Sequence, residues 1–112
     1  MTDLNPLSLF YLLVVAHFIC DYPLQGDFLS KAKNLSAPIQ GVPWWQAMGA
    51  HSFIHGGAVA LIAGNIWLGL LETIFHFAID TAKCRGHLTF NQDQLWHIVC
   101  KIVIVMIWSV TQ

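Results

Sequence analysis

Residues 72–83 read Glu-Thr-Ile-Phe-His-Phe-Ala-Ile-Asp-Thr-Ala-Lys. Glu72, His76 and Asp80 recur every four residues inside an otherwise apolar run, Ile66–Ala82. On a helix, residues four apart share one face, a turn above one another. The stretch therefore predicts a helix carrying carboxylate, imidazole and carboxylate in one line. Burying such groups in an apolar span is costly, so each needs a reason.

The same spacing recurs outward along the chain. His17 and Asp21 are four apart, as are His51 and His55, and Asp93 and His97. With 6 His and 6 Asp or Glu in 112 residues, random placement gives about one pair at this spacing. Five are present, because Glu72, His76 and Asp80 supply two.

Composition places these groups in a membrane protein. Hydrophobic residues make up 56% of the chain and charged residues 10%. An ordinary soluble domain is about 25% charged. The high apolar content also excludes disorder. A net charge of -1 without a basic tract argues against a nucleic-acid partner. Cys20, Cys84 and Cys100 form no CxxC pair and read as reduced thiols. The N-terminal MTDLNP lacks Lys and Arg and carries Asp3, so the first apolar run reads as a retained span, not a signal peptide.

Four apolar runs, 4–20, 44–64, 66–82 and 95–110, approach the ~17–25 residues that cross a bilayer as a helix. The expected fold is an all-α integral membrane protein, one domain over 1–112, with four transmembrane helices in a bundle. Gly64 and Asn65 predict a tight helical hairpin. Loop 22–43, broken by Pro23, Gly26, Pro38, Gly41 and Pro43, leaves room for one or two helical turns at 27–34. The second loop is 83–93, where Asn91 or Asp93 could cap the last span. All five tryptophans fall near span ends, at headgroup level. Lys31, Lys33, Lys83 and Arg85 make both long loops cytoplasmic and put both termini outside, in a bacterial inner membrane. Lys101 falls inside the last span and must snorkel or pair. Gly56, Gly57, Ala60 and Gly64 predict close packing of the second span.

Counting inward at ~1.5 Å per residue gives three layers near the cytoplasmic face. Asp21, Asp80 and Asp93 are outermost, His17, His51, His76 and His97 one turn deeper, and His55 and Glu72 deeper again. Neutral imidazole with carboxylate suits zinc, and also manganese or iron. The expected ligands of one or two divalent transition-metal ions are His17, His51, His55, Glu72, His76, Asp80 and His97. Facing helices of bundles build such centres, often for two ions. Asp21, Asp80 and Asp93 are the candidate catalytic bases, and Gln94 could join the site.

The runs AHFICDYPLQ (16–25), AMGAHSFIH (47–55), ETIFHFAIDTAK (72–83) and NQDQLWH (91–97) resemble a small family of bacterial and phage membrane proteins defined as a domain of unknown function. More distantly, the chain is similar to multi-span proteins described as membrane-bound metal-dependent hydrolases. Those also place His and acidic residues near helix ends.

The resulting expectation is metal-dependent hydrolysis of a phosphoester in a membrane lipid or lipid-linked substrate. Two alternatives stand beside it: an ion or proton conductor, and a non-enzymatic interaction protein with a structural metal or polar cluster. Beyond Glu72 the third span continues as Leu71, Leu70, Gly69 and Leu68. That predicts a polar cup closed at one end, not a channel.

Overall fold

Asn5 opens the first helix: its side chain accepts from the Ser8 N–H at 2.9 Å, and Pro6 supplies a φ already suited to the first turn. The computed structural model describes residues 4–111. Asp3, the charge that argues against a signal peptide, lies outside them. Five helices follow: α1 Pro6–Asp21, α2 Gly26–Ala32, α3 Trp44–Ala63, α4 Ile66–Cys84 and α5 Phe90–Thr111. After α1 the chain turns through Pro23, and α2 departs at 84°. The turns expected at 27–34 are α2, which packs on α3.

The α3–α4 hairpin forms at Gly64–Asn65 as the sequence predicts. Gly64 closes α3 at φ 66°, a left-handed conformation that glycine adopts without a Cβ clash. The Asn65 side chain accepts from the Trp67 and Leu68 N–H groups at 2.9 and 3.3 Å and opens α4. The two helices then run in close contact. A Cβ on Gly56 would fall 2.5 Å from the Gly69 carbonyl oxygen, so glycine is what lets the backbones approach.

Four long helices, α1, α3, α4 and α5, close a ring in which each touches the next. The molecule is 47 Å long and 23 by 21 Å across. Its interior divides along that length. At the hairpin end lies an apolar core of Leu9, Leu13, Val59, Ala63, Leu68, Ile104, Val105 and Trp108. At the other end the buried polar residues are His17, Lys33, His51, Ser52, His55, Glu72, His76, Asp80, Asp93, His97 and Lys101, none above 2% exposed, packed with Cys20, Ala32, Ala47 and Met48. Meanwhile Leu7, Tyr11, Phe53, Leu61, Trp67 and Ile74 each expose more than 60% of their surface.

The all-helical class stands, but the four transmembrane spans do not. Only α5 among the described helices is long and apolar enough to cross a membrane. α1 passes that test only together with α2, as the sharply bent pair. The reasons are local. α1 has 16 residues. Gln46, His51, Ser52 and His55 dilute α3, and Glu72, Asp80 and Lys83 charge α4. A multi-pass topology with both termini outside therefore lacks support. One boundary also moves: the loop expected at 83–93 ends at Thr89. The Gln92 N–H donates to Thr89 Oγ1 at 3.1 Å and the Thr89 N–H donates to Gln92 Oε1 at 2.9 Å. This reciprocal cap starts α5 five residues before the expected span and leaves Asp93 inside the helix.

Candidate metal centre

Side chains lean toward the N-terminus of their own helix. α1 and α4 end at the polar end of the bundle, whereas α3 and α5 begin there. Asp21 and His76 therefore lean inward, and His51, His55 and His97 lean back toward the mouth. The three layers expected from counting Cα positions collapse toward one. Asp21, expected outermost, accepts through Oδ1 from Nε2 of His51 at 3.1 Å and of His55 at 2.9 Å. His76 Nε2 stands 3.9 Å from the same oxygen.

The other oxygen of Asp21 faces different residues. Oδ2 accepts from Gln94 Nε2 at 2.9 Å and stands 3.4 Å from His17 Nε2. The same Gln94 amide donates to Asp93 Oδ2 at 3.2 Å, and Gln94 Oε1 is 3.0 Å from His17 Nε2. Asp93 Oδ1 lies 3.3 Å from His97 Nε2.

Among the described residues three groups have donor atoms that, within each group, lie within 4.8 Å of one another: Asp21, His51, His55 and His76; His17, His76 and His97; Asp21, Asp93 and His97. The imidazoles also stack, His55 on His76 at 3.7 Å and His76 on His97 at 4.2 Å between centroids. Among the described residues, both ring nitrogens of His76 and of His97 lack a hydrogen-bond partner, as does Asp93 Oδ1. Buried polar atoms are paired in the great majority of cases. Several unpaired ones converging is the arrangement a cation would satisfy. Burial pushes the His55 imidazole down to about 3, although Asp21 pulls the other way. Burial also holds His76 well below the usual histidine range, with His55 and His97 adding to it. Both rings are thus neutral, the form that ligates a metal.

Glu72 and Asp80 stand outside the three donor sets. Lys101 Nζ donates to Glu72 Oε1 at 2.6 Å, so Lys101 pairs instead of snorkelling. Lys33 Nζ binds Asp80 Oδ2, and Lys83 lies 3.3 Å from Asp80 Oδ1. Burial raises the Asp80 carboxyl, but Lys33 and Lys83 outweigh it and hold the group below its ordinary value. Asp80 Oδ2 remains 3.6 Å from His51 Nε2 and 3.7 Å from His76 Nε2, and Glu72 Oε2 is 3.5 Å from His76 Nδ1. These two carboxylates flank the imidazoles. Of the candidate bases, Asp80 and Asp93 are 1% exposed, while the Asp21 side chain is 11% exposed and forms the one wet edge of the donor sets.

Sequence reading missed two roles. Asp21, placed in the outer carboxylate layer as a candidate base and not among the expected ligands, sits among the donors. Lys33, taken as a loop charge, is 2% exposed and closes over Asp80 from 47 residues away. His87 is exposed and stands apart, and the three cysteines are free.

A family model described as "Protein of unknown function (DUF3307)" matches residues 9–112, and the chain belongs to that family. No curated protein and no solved structure matches it.

Proposed function

We propose that this member of the DUF3307 family is a membrane-associated protein that binds a divalent transition-metal ion. Asp21, His51, His55 and His76 are the ligands, and zinc is the ion best suited to three imidazoles and one carboxylate. The observation that carries this reading is His76, wholly buried with neither ring nitrogen partnered, among three other donors within 4.8 Å. Charge supports it. Glu72 and Asp80 are neutralised by lysines, but no Lys or Arg among the described residues lies within 4 Å of Asp21 or Asp93. Glu72, 3.5 Å from His76 Nδ1, acts as an outer carboxylate that fixes the orientation of that ring.

Membrane association rests on α5 and on the inverted surface, with charges inside and large apolar side chains outside. Exposed apolar area on this scale marks a lipid or partner surface. α5 is the segment that anchors the chain at the bilayer.

Metal analysis of protein purified without chelator tests the centre. Wild type and His87→Ala should carry the metal, and His76→Ala should lose most of it. Equal content in the two variants would overturn the assignment.

Hydrolysis of a phosphoester in a lipid or lipid-linked substrate is a second reading, favoured by the wet edge at Asp21. Water reaching a bound metal there would have its pKa lowered toward ~7. Chelator-sensitive release of headgroup or phosphate from mixed bacterial lipids tests it, and metal-loaded protein without such release refutes it. Conduction is disfavoured, because the polar interior ends at the Lys101–Glu72 pair against the apolar core.

A further inference from the structure

Asp21 has two oxygens, and they face different partners. Oδ1 faces His51, His55 and His76, the ligands assigned above. Oδ2 faces His17 and, through the Gln94 amide, Asp93. We infer that the centre takes two ions bridged by the Asp21 carboxylate, the second held by Oδ2 of Asp21 with Asp93 and His97 and flanked by His17. This rests on the metal-binding reading and extends it.

Several observations point to a second ligand on this side. Asp21, Asp93 and His97 offer donor atoms within 4.8 Å of one another, sharing only Asp21 with the set that holds the first ion. Asp93 and His97 are each 1% exposed. Among the described residues Asp93 Oδ1 and both nitrogens of His97 find no hydrogen-bond partner, although three polar atoms this deep would ordinarily be satisfied. Asp93 Oδ1 and His97 Nε2, at 3.3 Å, are close enough to serve one ion. The Gln94 amide donates to Asp21 Oδ2 and to Asp93 Oδ2, bringing two carboxylates of like charge together.

A carboxylate bridging through its two oxygens sets a pair of ions about 3.5–4 Å apart, the spacing of two-metal hydrolytic centres. The first dication balances Asp21 and Asp93. The second brings charge that these carboxylates no longer offset, so it binds in a separate, weaker step.

The test uses the intact protein in mild detergent, titrated with Mn²⁺ and followed by metal content and electron paramagnetic resonance. The expected result for wild type is two equivalents bound in two steps, the second accompanied by the spectrum of an exchange-coupled pair. Asp93→Asn, nearly isosteric, and His97→Ala should each bind one equivalent and show an uncoupled spectrum. His87→Ala should match wild type. One equivalent in wild type, unchanged by Asp93→Asn and His97→Ala, would overturn the second ion and leave the first. Two equivalents without coupling would overturn the Asp21 bridge. No bound metal in wild type would remove the parent reading as well. The wild-type titration needs no variant, so a misfolded substitution cannot shield the inference.

Discussion

Replacing Lys101 by Met strands Glu72. The two side chains are 1% and 0% exposed and meet at 2.6 Å, and Glu72 Oε2 has no hydrogen-bond partner of its own. Methionine keeps most of the lysine's volume, so the change is chiefly electrostatic. Breaking a buried pair from one side costs about 3–5 kcal/mol, because an uncompensated charge remains. Lys101→Met should therefore lose about 3–5 kcal/mol at pH 7. Adding Glu72→Gln removes the stranded charge and should recover most of the loss. Equilibrium denaturation in mild detergent at pH 7, followed by circular dichroism, measures all three proteins. A single-variant loss below about 1 kcal/mol at pH 7, or a double variant no better than the single, would refute the buried ion pair.

The α3–α4 crossing gives a pair of substitutions with opposite signs. Gly56→Ala puts a Cβ 2.5 Å from the Gly69 carbonyl oxygen and should cost about 1–3 kcal/mol in the same unfolding assay. Gly57→Ala meets nothing within 4 Å and should be neutral or stabilising by up to about 1 kcal/mol, from helix propensity alone. Metal-free protein should lose stability on acidification. His55 titrates at about 3 when folded, against 6.5 for the free side chain, so below pH 6.5 the unfolded chain binds more protons and the folded state weakens down to about pH 3. A flat stability profile across that window would count against a buried, neutral His55.

The helical pattern was legible because local signals agreed with tertiary structure. Gly64–Asn65 read as a hairpin and formed one, and Pro23 with Gly26 marked the break between α1 and α2. The residues that converge were legible too, since spacing by four fixes a face whatever surrounds it. Depth was not, because counting Cα positions ignores the lean of side chains toward each helix N-terminus. That lean lets Asp21 reach His55, from an expected layer two turns away. Span counting went wrong for a related reason. The ionisable groups that assemble the centre also lower the apolar character of α3 and α4, and length alone concealed this. Thr89-x-x-Gln92 carried a capping signal that was there to be read. Lys33 carried none, since nothing in its neighbourhood names Asp80.

The division of the interior along its length has a consequence for how the protein opens. Burial of Leu9, Leu13, Val59, Leu68 and Ile104 clamps the hairpin end, whereas the opposite end buries smaller apolar groups, Cys20, Ala32 and Ala47 with Met48, and relies as well on ion pairs and imidazole contacts. Local unfolding follows apolar contact density more closely than helix boundaries. Each long helix is therefore two populations of backbone amides. In α5 those around Ile104 and Trp108 should exchange hydrogen with solvent only on global unfolding, and those around His97 through partial opening. Slow and fast amides should then sort along the axis of every helix instead of from helix to helix, and a cation bound as proposed would reduce the gradient by tying the loose ends together.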